Sequence, residues 1–260
     1  MILPLLLAVA TQAASAKAAG PIAPADTRAQ HCLELAANDP PSGAKEADRW
    51  AIAGGGFLAK QCLGMAYASG GRMDSAAQAF EDAARGAELA HDLRAATYWA
   101  EAGNAWLAAG DAGKARAALD AALAADTLTG GPRGEALIDR ARALVAQGQA
   151  VAARADLDKA LGDVASDPMA WLLSATLARR MDDVPRARTD IAEALRLAGN
   201  DASVQLEAGN IAAIGHDEAG AEAAWTRAAQ IAPDSAAGRS AKQALRQFAA
   251  PDATTVTTTP

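Results

Sequence analysis

Aromatic residues are scarce in this chain: they make up 4% of its 260 residues, although 51% of the residues are hydrophobic. So few large rings cannot fill a core of this size, and Ala and Leu must therefore form most of it. Side chains of that kind suit helices that are stacked closely against one another. The composition favours an all-α protein.

Clusters of basic residues are missing as well. The net charge is -7, the pI is about 5.0, and the 24 Lys and Arg residues nowhere form a cluster of five or more. Because phosphate binding needs a basic stripe, this pattern excludes nucleic acid as a partner.

Catalytic and metal-binding motifs are also absent from the sequence. The three histidines, His31, His91 and His216, have no recurrent spacing to a partner, and we expect them to face solvent. The chain has no Gly-x-Ser-x-Gly, His-Glu-x-x-His or Cys-x-x-Cys, and its carboxylates are expected on outward helix faces or in turns. A metal site would need several ligands to converge at one spot. The sequence therefore predicts a protein that is not an enzyme and holds no metal or cofactor.

No apolar run reaches the ~20 residues that a membrane span requires. Residues 1–16 instead resemble a signal peptide, because an apolar core is followed by Ala14-Ser15-Ala16, small residues of the kind that a signal peptidase recognises. The alternative is an apolar helix packed on the body of the protein, since no Lys or Arg precedes the apolar core. We expect cleavage after Ala16, export to the periplasm and no membrane insertion of the mature chain.

Five segments of the remaining chain share an alternation of small and large residues. When the segments start at residues 57, 96, 134, 168 and 202, positions 8, 20 and 27 are Gly or Ala in each, and position 24 is large and apolar. The residues at position 8 are Gly64, Gly103, Ala141, Ala175 and Gly209, and those at position 24 are Phe80, Leu119, Leu157, Ile191 and Trp225. Two helices approach closely only where a small residue stands between them, and a large residue nearby fills the remaining gap.

This pattern resembles the tetratricopeptide repeat, a 34-residue unit that reads W-x2-L-G-x2-Y, then A-x3-F, then P. The resemblance implies an all-α fold, a right-handed α-solenoid of about five helix pairs. Position 4 departs from the family pattern in three units, where Lys60, Leu137 and Gln205 replace Trp, and the terminal Pro is present only as Pro233. The first two units run long, so we expect a lengthened second helix around residues 87–94 and a loop at residues 127–133.

The expected domain organisation places the five units between two covers, as solenoids require at their ends. The segments are a signal peptide at residues 1–16, a flexible lead-in at 17–25, a degenerate helix pair at 26–56, the five units at 57–234, a capping helix at 235–249 and a disordered tail at 250–260.

The degenerate pair is predicted from helix breakers. A helix over residues 27–37 is expected to stop before Pro40 and Pro41, and a second helix is expected to begin with Ser42 as its cap. Gly54-Gly55-Gly56 follows and is interpreted as a turn, because a phosphate loop would need a following Gly-Lys-Ser/Thr and a preceding strand.

The two cysteines of the chain, Cys32 and Cys62, lie on either side of this glycine turn. If the glycines form a turn, the first and third helices run parallel and the two cysteines lie at a similar height. An oxidising compartment then favours a disulfide between them, and the alternative is a pair of buried free thiols.

The resemblance also implies where a ligand binds: extended peptides lie across the concave surface, which the first helix of each unit lines, through positions 2, 5, 9 and 12. Position 9 carries a hydrogen-bonding side chain in four successive units, and apolar residues flank it. The candidate peptide-binding residues are Asn104, Leu107, Ile138, Arg142, Met169, Leu172, Thr176, Arg179, Leu206 and Asn210. Arg142, Arg179 and Arg180 form a local positive spot that fits an acidic residue of the ligand. The alternative is an inner face that is simply solvated.

These observations favour a non-catalytic periplasmic adaptor that binds a protein or peptide segment in its concave groove. The alternative is a structural module that forms a homo-oligomer through its convex face or its ends. The family's clamp for a carboxyl terminus is not carried over, because position 5 of the first unit is Gln61 instead of Lys.

Overall fold

The computed structural model describes residues 24–248, and this part of the chain is folded into helices without any strand. The helices are α1 Pro24–Asn38, α2 Pro40–Ile52, α3 Gly56–Ser69, α4 Met73–Leu89, α5 Ala95–Ala109, α6 Ala112–Ala124, α7 Gly130–Ala146, α8 Ala150–Asp163, α9 Pro168–Arg180, α10 Val184–Ala198, α11 Ala202–Ile214, α12 Glu218–Ile231 and α13 Ala236–Phe248. The predicted signal peptide and disordered tail lie outside the described residues, as does the lead-in up to residue 23.

The architecture is an all-α solenoid of tetratricopeptide-like helix pairs, which confirms the predicted fold class. Each helix from α3 to α12 packs against the next helix along the chain, and first helices of neighbouring pairs also touch, α5 on α7 and α9 on α11. At the amino-terminal end α1 and α2 pack on α3, and at the other end α13 packs on α11 and α12. We call the surface formed by α3, α5, α7, α9 and α11 the first-helix face.

The core of each pair is built from the alternation of small and large residues seen in the sequence. A Cβ atom added to Gly103 would lie 2.4 Å from Leu119, and one added to Gly209 would lie 2.4 Å from Trp225, both far inside van der Waals contact. The small residue at position 8 is therefore a steric requirement of its large neighbour at position 24. The small residues at positions 20 and 27 are fully buried in all five pairs.

Helix α2 begins three residues earlier than the sequence predicted, since its cap is Asp39 and not Ser42. Pro40 and Pro41 lie inside its first turn, where their missing N–H groups cost nothing because the first amides of a helix have no intrahelical acceptor. The cap is Asp39, whose carboxylate accepts a hydrogen bond from the Ser42 amide at 3.3 Å. The prediction that Ser42 is the cap was wrong, since Ser42 lies within the helix that it was expected to start.

The predicted loop at residues 127–133 is also wrong in its second half. Helix α7 starts at Gly130, so Pro132 and Arg133 belong to its first turns, and α7 reaches the same 17-residue length as α4. Arg133 donates two hydrogen bonds of 2.8 Å to Asp163 at the end of α8, which holds this extra turn against the second helix of the pair. The additional residues therefore lengthen a helix instead of a loop.

Gly54-Gly55-Gly56 forms the turn between α2 and α3, with positive φ angles of 86° at Gly54 and 53° at Gly56. A residue with a Cβ atom rarely adopts such angles, which explains the glycines. The turn brings α1 and α3 into contact, and the structure contains a disulfide between Cys32 and Cys62, with 6.0 Å between their Cα atoms. Both sulfur-bearing residues are fully buried.

Buried carboxylates are the main departure from the sequence-based prediction, which placed such groups on outward faces and in turns. Asp156, Asp190 and Glu207 are each less than 9% exposed. Asp156 accepts two hydrogen bonds of 2.7 Å from Arg140 across the α7–α8 pair, and the Ser174 hydroxyl donates to Asp190 across the α9–α10 pair. These contacts satisfy the buried charges between helices.

Candidate functional site

The first-helix face contains a cleft of about 500 Å³ that lies among α3, α4, α5 and α7. Apolar side chains form part of its wall, namely Met65, Met73, Phe80 and Leu128. Its polar residues are Thr97, Glu101, Asn104, Glu135 and Asp139. Because three of its lining residues are carboxylic acids and none is Lys, Arg or His, we call it the acidic cleft.

Glu101 on α5 is the least satisfied polar group in this cleft. Its Oε2 atom is buried and has no hydrogen-bond partner among the described residues. Burial raises the pKa of Glu101 from its ordinary value of 4.5 to about 7, since desolvation disfavours the charged form. A partner that supplies a hydrogen-bond donor or a positive charge would remove this penalty.

The other two acids of the cleft lie on α7. Asp139 already has partners within the protein, because it accepts hydrogen bonds of 2.8 Å from Asn104 and from Arg142, and Arg142 balances its charge. Glu135 is exposed and has no ion-pair partner between residues 24 and 248. The cleft therefore offers two carboxyl groups, those of Glu101 and Glu135, to an incoming ligand.

A smaller cleft lies on the other side of α7, between α7 and α9, with a volume of about 160 Å³. Ile138, Val145, Leu173 and Leu177 give it an apolar wall, and we call it the apolar cleft; its other lining residues are Ala141, Arg142, Leu157, Thr176 and Arg180. The two arginines are exposed, so their guanidinium groups are accessible to a ligand.

The structure brings only part of the predicted peptide-binding set together. Ile138, Arg142 and Thr176 line the apolar cleft, and Asn104 lines the acidic cleft. Met169 is 49% exposed at the start of α9, whereas Leu172 is buried in a cluster with α10 and α11. Leu107 and Leu206 are half-buried and pack against core clusters.

Like Asn104 and Arg142, which bond to Asp139, two more predicted ligand-binding residues have partners within the protein. Arg179 donates to Glu207 at 2.6 and 3.2 Å, which joins α9 to α11. Asn210 accepts a hydrogen bond from the Trp225 indole at 3.1 Å and donates to Glu207 at 3.1 Å. Asn210 therefore helps to hold Trp225, the largest side chain of the α11–α12 pair.

The acids with buried carboxyl oxygens were not predicted from the sequence, although a signal existed. Glu101 and Glu207 occupy the same position, the sixth, in units that start at residues 96 and 202. Asp156 and Asp190 are 34 residues apart, at position 23 of neighbouring units. A charged residue that recurs at one repeat position points to one structural environment, and that recurrence could have identified these four residues.

Histidines, possible metal ligands and apolar helices provide no further site in the described part of the chain. All three histidines are exposed, as predicted. Residues 24–248 contain no group of three or more His, Cys, Asp and Glu side chains arranged to hold a metal ion. Within the same residues, every helix falls short of the length and apolarity that crossing a bilayer requires.

Comparison with known proteins supports the fold. PilW, a widely conserved type IV pilus biogenesis factor, matches with a TM-score of 0.68 and 18% identity over 83% of this chain and 97% of PilW. PilF of Pseudomonas aeruginosa gives a TM-score of 0.67 and 15% identity over 85% and 99%. YrrB, a tetratricopeptide repeat protein with an unusual peptide-binding site, gives 0.56 and 20% over 72% and 92%.

No protein-family model matches the chain, and no curated protein matches it. At identities of 20% and below, the structural likeness establishes the tetratricopeptide-repeat fold that the sequence pattern predicted, and nothing more about the site.

Proposed function

We propose that this protein is a non-catalytic periplasmic adaptor that binds an extended segment of another protein along its first-helix face. The observation that carries the proposal is the pair of clefts on either side of α7, one acidic and one apolar. An extended peptide presents unpaired backbone groups and separated side chains, and adjacent clefts of different chemistry suit such a ligand better than a compact one. The fold relatives include a protein whose name records a peptide-binding site.

The proposed location is supported by the disulfide between Cys32 and Cys62. Disulfides persist in oxidising compartments such as the bacterial periplasm and are rare in the cytosol. Together with the signal-peptide pattern at residues 1–16, this bond favours export with cleavage after Ala16. Amino-terminal sequencing of the protein from its native cells should return Lys17, and a chain that still begins at Met1 would contradict export.

The binding face can be tested by photo-crosslinking in cells. A photoreactive amino acid placed at Thr176, in the apolar cleft, should crosslink to the partner, whereas the same residue at Glu193 or Arg227 on second helices should not. Thr176 is preferred to Asn210 because replacing Asn210 also removes a core hydrogen bond. Crosslinks from Glu193 and Arg227 without any from Thr176 would contradict the proposal.

Self-association remains the second candidate, and one observation favours it. Ile52 is 89% exposed, Leu89 is 85% exposed and Leu93 is 78% exposed. Ile52 ends α2 and Leu89 ends α4, and the residues next to them border one shallow depression. Large apolar side chains left in water at neighbouring sites are typical of contact surfaces.

Sedimentation of the purified protein over a range of concentrations separates the two candidates. A monomer at all concentrations would exclude self-association. A dimer that dissociates when Leu89 and Leu93 are both replaced by Ser would support it, and a matched replacement of the exposed Val151 by Ser should have no effect.

A further inference from the structure

We propose that the acidic cleft takes up the lysine or arginine side chain of the bound segment, so that the partner of this protein carries a basic residue next to apolar ones. The inference rests on the proposed function and gives the partner a chemistry. It differs from the sequence-based expectation, in which the arginines of the middle units selected an acidic residue.

The shape and lining of the cleft fit a long basic side chain. Such a side chain has an aliphatic stem that is stabilised on apolar surface and a charged head that needs hydrogen-bond acceptors. Met65, Met73 and Phe80 provide apolar wall, and Glu101 and Glu135 provide acceptors in the same cleft. A volume of about 500 Å³ leaves room for the side chain and for part of the backbone that carries it.

The charge of the cleft is not balanced from within the protein. Asp139 has Arg142 and Asn104 as partners, but Glu101 and Glu135 form no ion pair with any residue from 24 to 248. A ligand cation would bind the carboxyl group of Glu101, which lines the cleft and has one oxygen without a hydrogen-bond partner, and charge-assisted bonds are stronger than neutral ones. It would also favour the ionised form of Glu101, whose pKa burial has raised to about 7.

An organic cation fits better than a metal ion. Metal sites need several ligands at coordination distance, and the described residues contain no such group. Glu101 and Glu135 belong to different helices, α5 and α7, so a side chain with several donors on a flexible stem can reach both.

The test begins with a random peptide library displayed on phage and selected against the immobilised full chain. The inference predicts that enriched peptides carry Lys or Arg adjacent to an apolar residue. Enriched peptides without a basic residue would overturn the inference and leave the proposed function standing. If no peptide is enriched, both the proposed function and the inference fail.

The second step uses one enriched peptide and its Lys→Gln or Arg→Gln counterpart, measured by fluorescence anisotropy. The basic peptide should bind at least about tenfold more tightly, the size expected of one charge-assisted bond. The protein variant E101Q/E135Q should bind both peptides about equally, because its affinity for the basic peptide falls while its affinity for the Gln peptide stays the same.

Two controls make this result specific. The variant E222Q removes an exposed acid from α12, far along the chain from the cleft, and should keep the full preference for the basic peptide. The single variant E135Q changes only an exposed side chain, so its fold is safe, and it should lose part of the preference. If E135Q and E101Q/E135Q both keep the preference undiminished, the acidic cleft is not the site.

Discussion

The middle helix pairs and the outer helix pairs of this solenoid solve the same packing problem with different chemistry. In the outer pairs α3–α4, α5–α6 and α11–α12, a glycine at position 8 accommodates a large residue at position 24, such as Trp225 against Gly209. In the middle pairs α7–α8 and α9–α10, position 8 is Ala141 or Ala175, and a polar contact is added beside it.

The added polar contact joins residues with the same sequence separation as the steric contact. Arg140 meets Asp156, and Ser174 meets Asp190, in each case 16 residues later, the same separation as Gly209 from Trp225. The repeat therefore fixes which positions face each other, and the side chains decide whether the contact is steric or electrostatic. The acidic cleft lies where the two kinds of pair adjoin, and the apolar cleft lies between the two middle pairs, on the other side of α7.

The largest loss of stability is expected from removing the large residue at position 24 of an outer pair. Trp225 is 6% exposed, and its ring fills the space above Gly209 and meets Phe248 of the capping helix edge-on at 5.6 Å. Trp225→Ala should lower the free energy of unfolding by about 3–5 kcal/mol, measured by guanidinium unfolding. Trp171→Ala, at a half-buried ring in a middle pair, should cost clearly less. Equal losses would show that the ring at position 24 stabilises the protein no more than a half-buried ring at position 4.

The disulfide at the amino-terminal end should make the second-largest contribution to stability. The bond between Cys32 and Cys62 spans 30 residues, and a loop of that length stabilises a fold by about 3–4 kcal/mol in the chain-entropy model. Adding reductant to the unfolding experiment should remove that stabilisation from α1–α3. A variant with both cysteines replaced by Ala serves as the control, because its unfolding should not respond to reductant at all. If reductant leaves the native protein's unfolding curve unchanged, the bond contributes nothing.

Breaking the ion pair of a middle pair should cost about 3 kcal/mol. Asp156→Ala leaves Arg140 half-buried without its bidentate acceptor, and an uncompensated charge between helices is strongly destabilising. Urea unfolding measures this loss. A change below 0.5 kcal/mol would show that the remaining contact of Arg140 with Asp120 is sufficient.

The double variant R140L/D156A sharpens the comparison, because it copies Leu63 and Ala79 of the first pair into the third. Replacing a buried ion pair by apolar residues of suitable volume is often close to neutral. We expect a loss of less than about 1 kcal/mol relative to the native protein, and thus a recovery relative to Asp156→Ala. A double variant that is less stable than the single one would show that the two chemistries are not interchangeable.

Glu101 should make the stability of the protein depend on pH. Its folded-state pKa of about 7 lies above the ordinary 4.5, so between these values the folded state keeps a proton that the unfolded state releases. The contribution to stability is present below pH 4.5, is lost as the pH rises towards 7, and stays lost above pH 7, with a size of about 3 kcal/mol. Subtracting the profile of Glu101→Gln isolates this term. Parallel profiles would show that Glu101 is not desolvated.

The sequence predicted the steric part of this fold well because small and large residues are visible as letters. The Gly or Ala at positions 8, 20 and 27 and the filler at position 24 are all buried as expected. The start of α7 at Gly130 and the inclusion of Pro40 in α2 were not predicted, since glycine and proline are tolerated in the first turn of a helix as well as in a loop.

The electrostatic part could be predicted less well, because the environment of a charge depends on what the neighbouring helix brings to it. Glu101 and Glu207 share a repeat position, but Arg179 reaches Glu207 and no described cation reaches Glu101. The same limit affected the predicted binding set: Asn210 was chosen by its position, and only the structure shows the indole of Trp225 bonded to it. The clefts are spaces between helices, and their size depends on helix packing that cannot be inferred from the sequence pattern.

The most direct test of the account is a methyl NMR titration of the isotopically labelled protein with a peptide obtained by the selection described above. The first-helix face predicts that the methyl groups of Ile138, Val145 and Leu173 in the apolar cleft shift on binding, while those of Val151 and Leu197 on second helices stay unchanged. Shifts confined to Val151 and Leu197, with Ile138, Val145 and Leu173 unmoved, would contradict it.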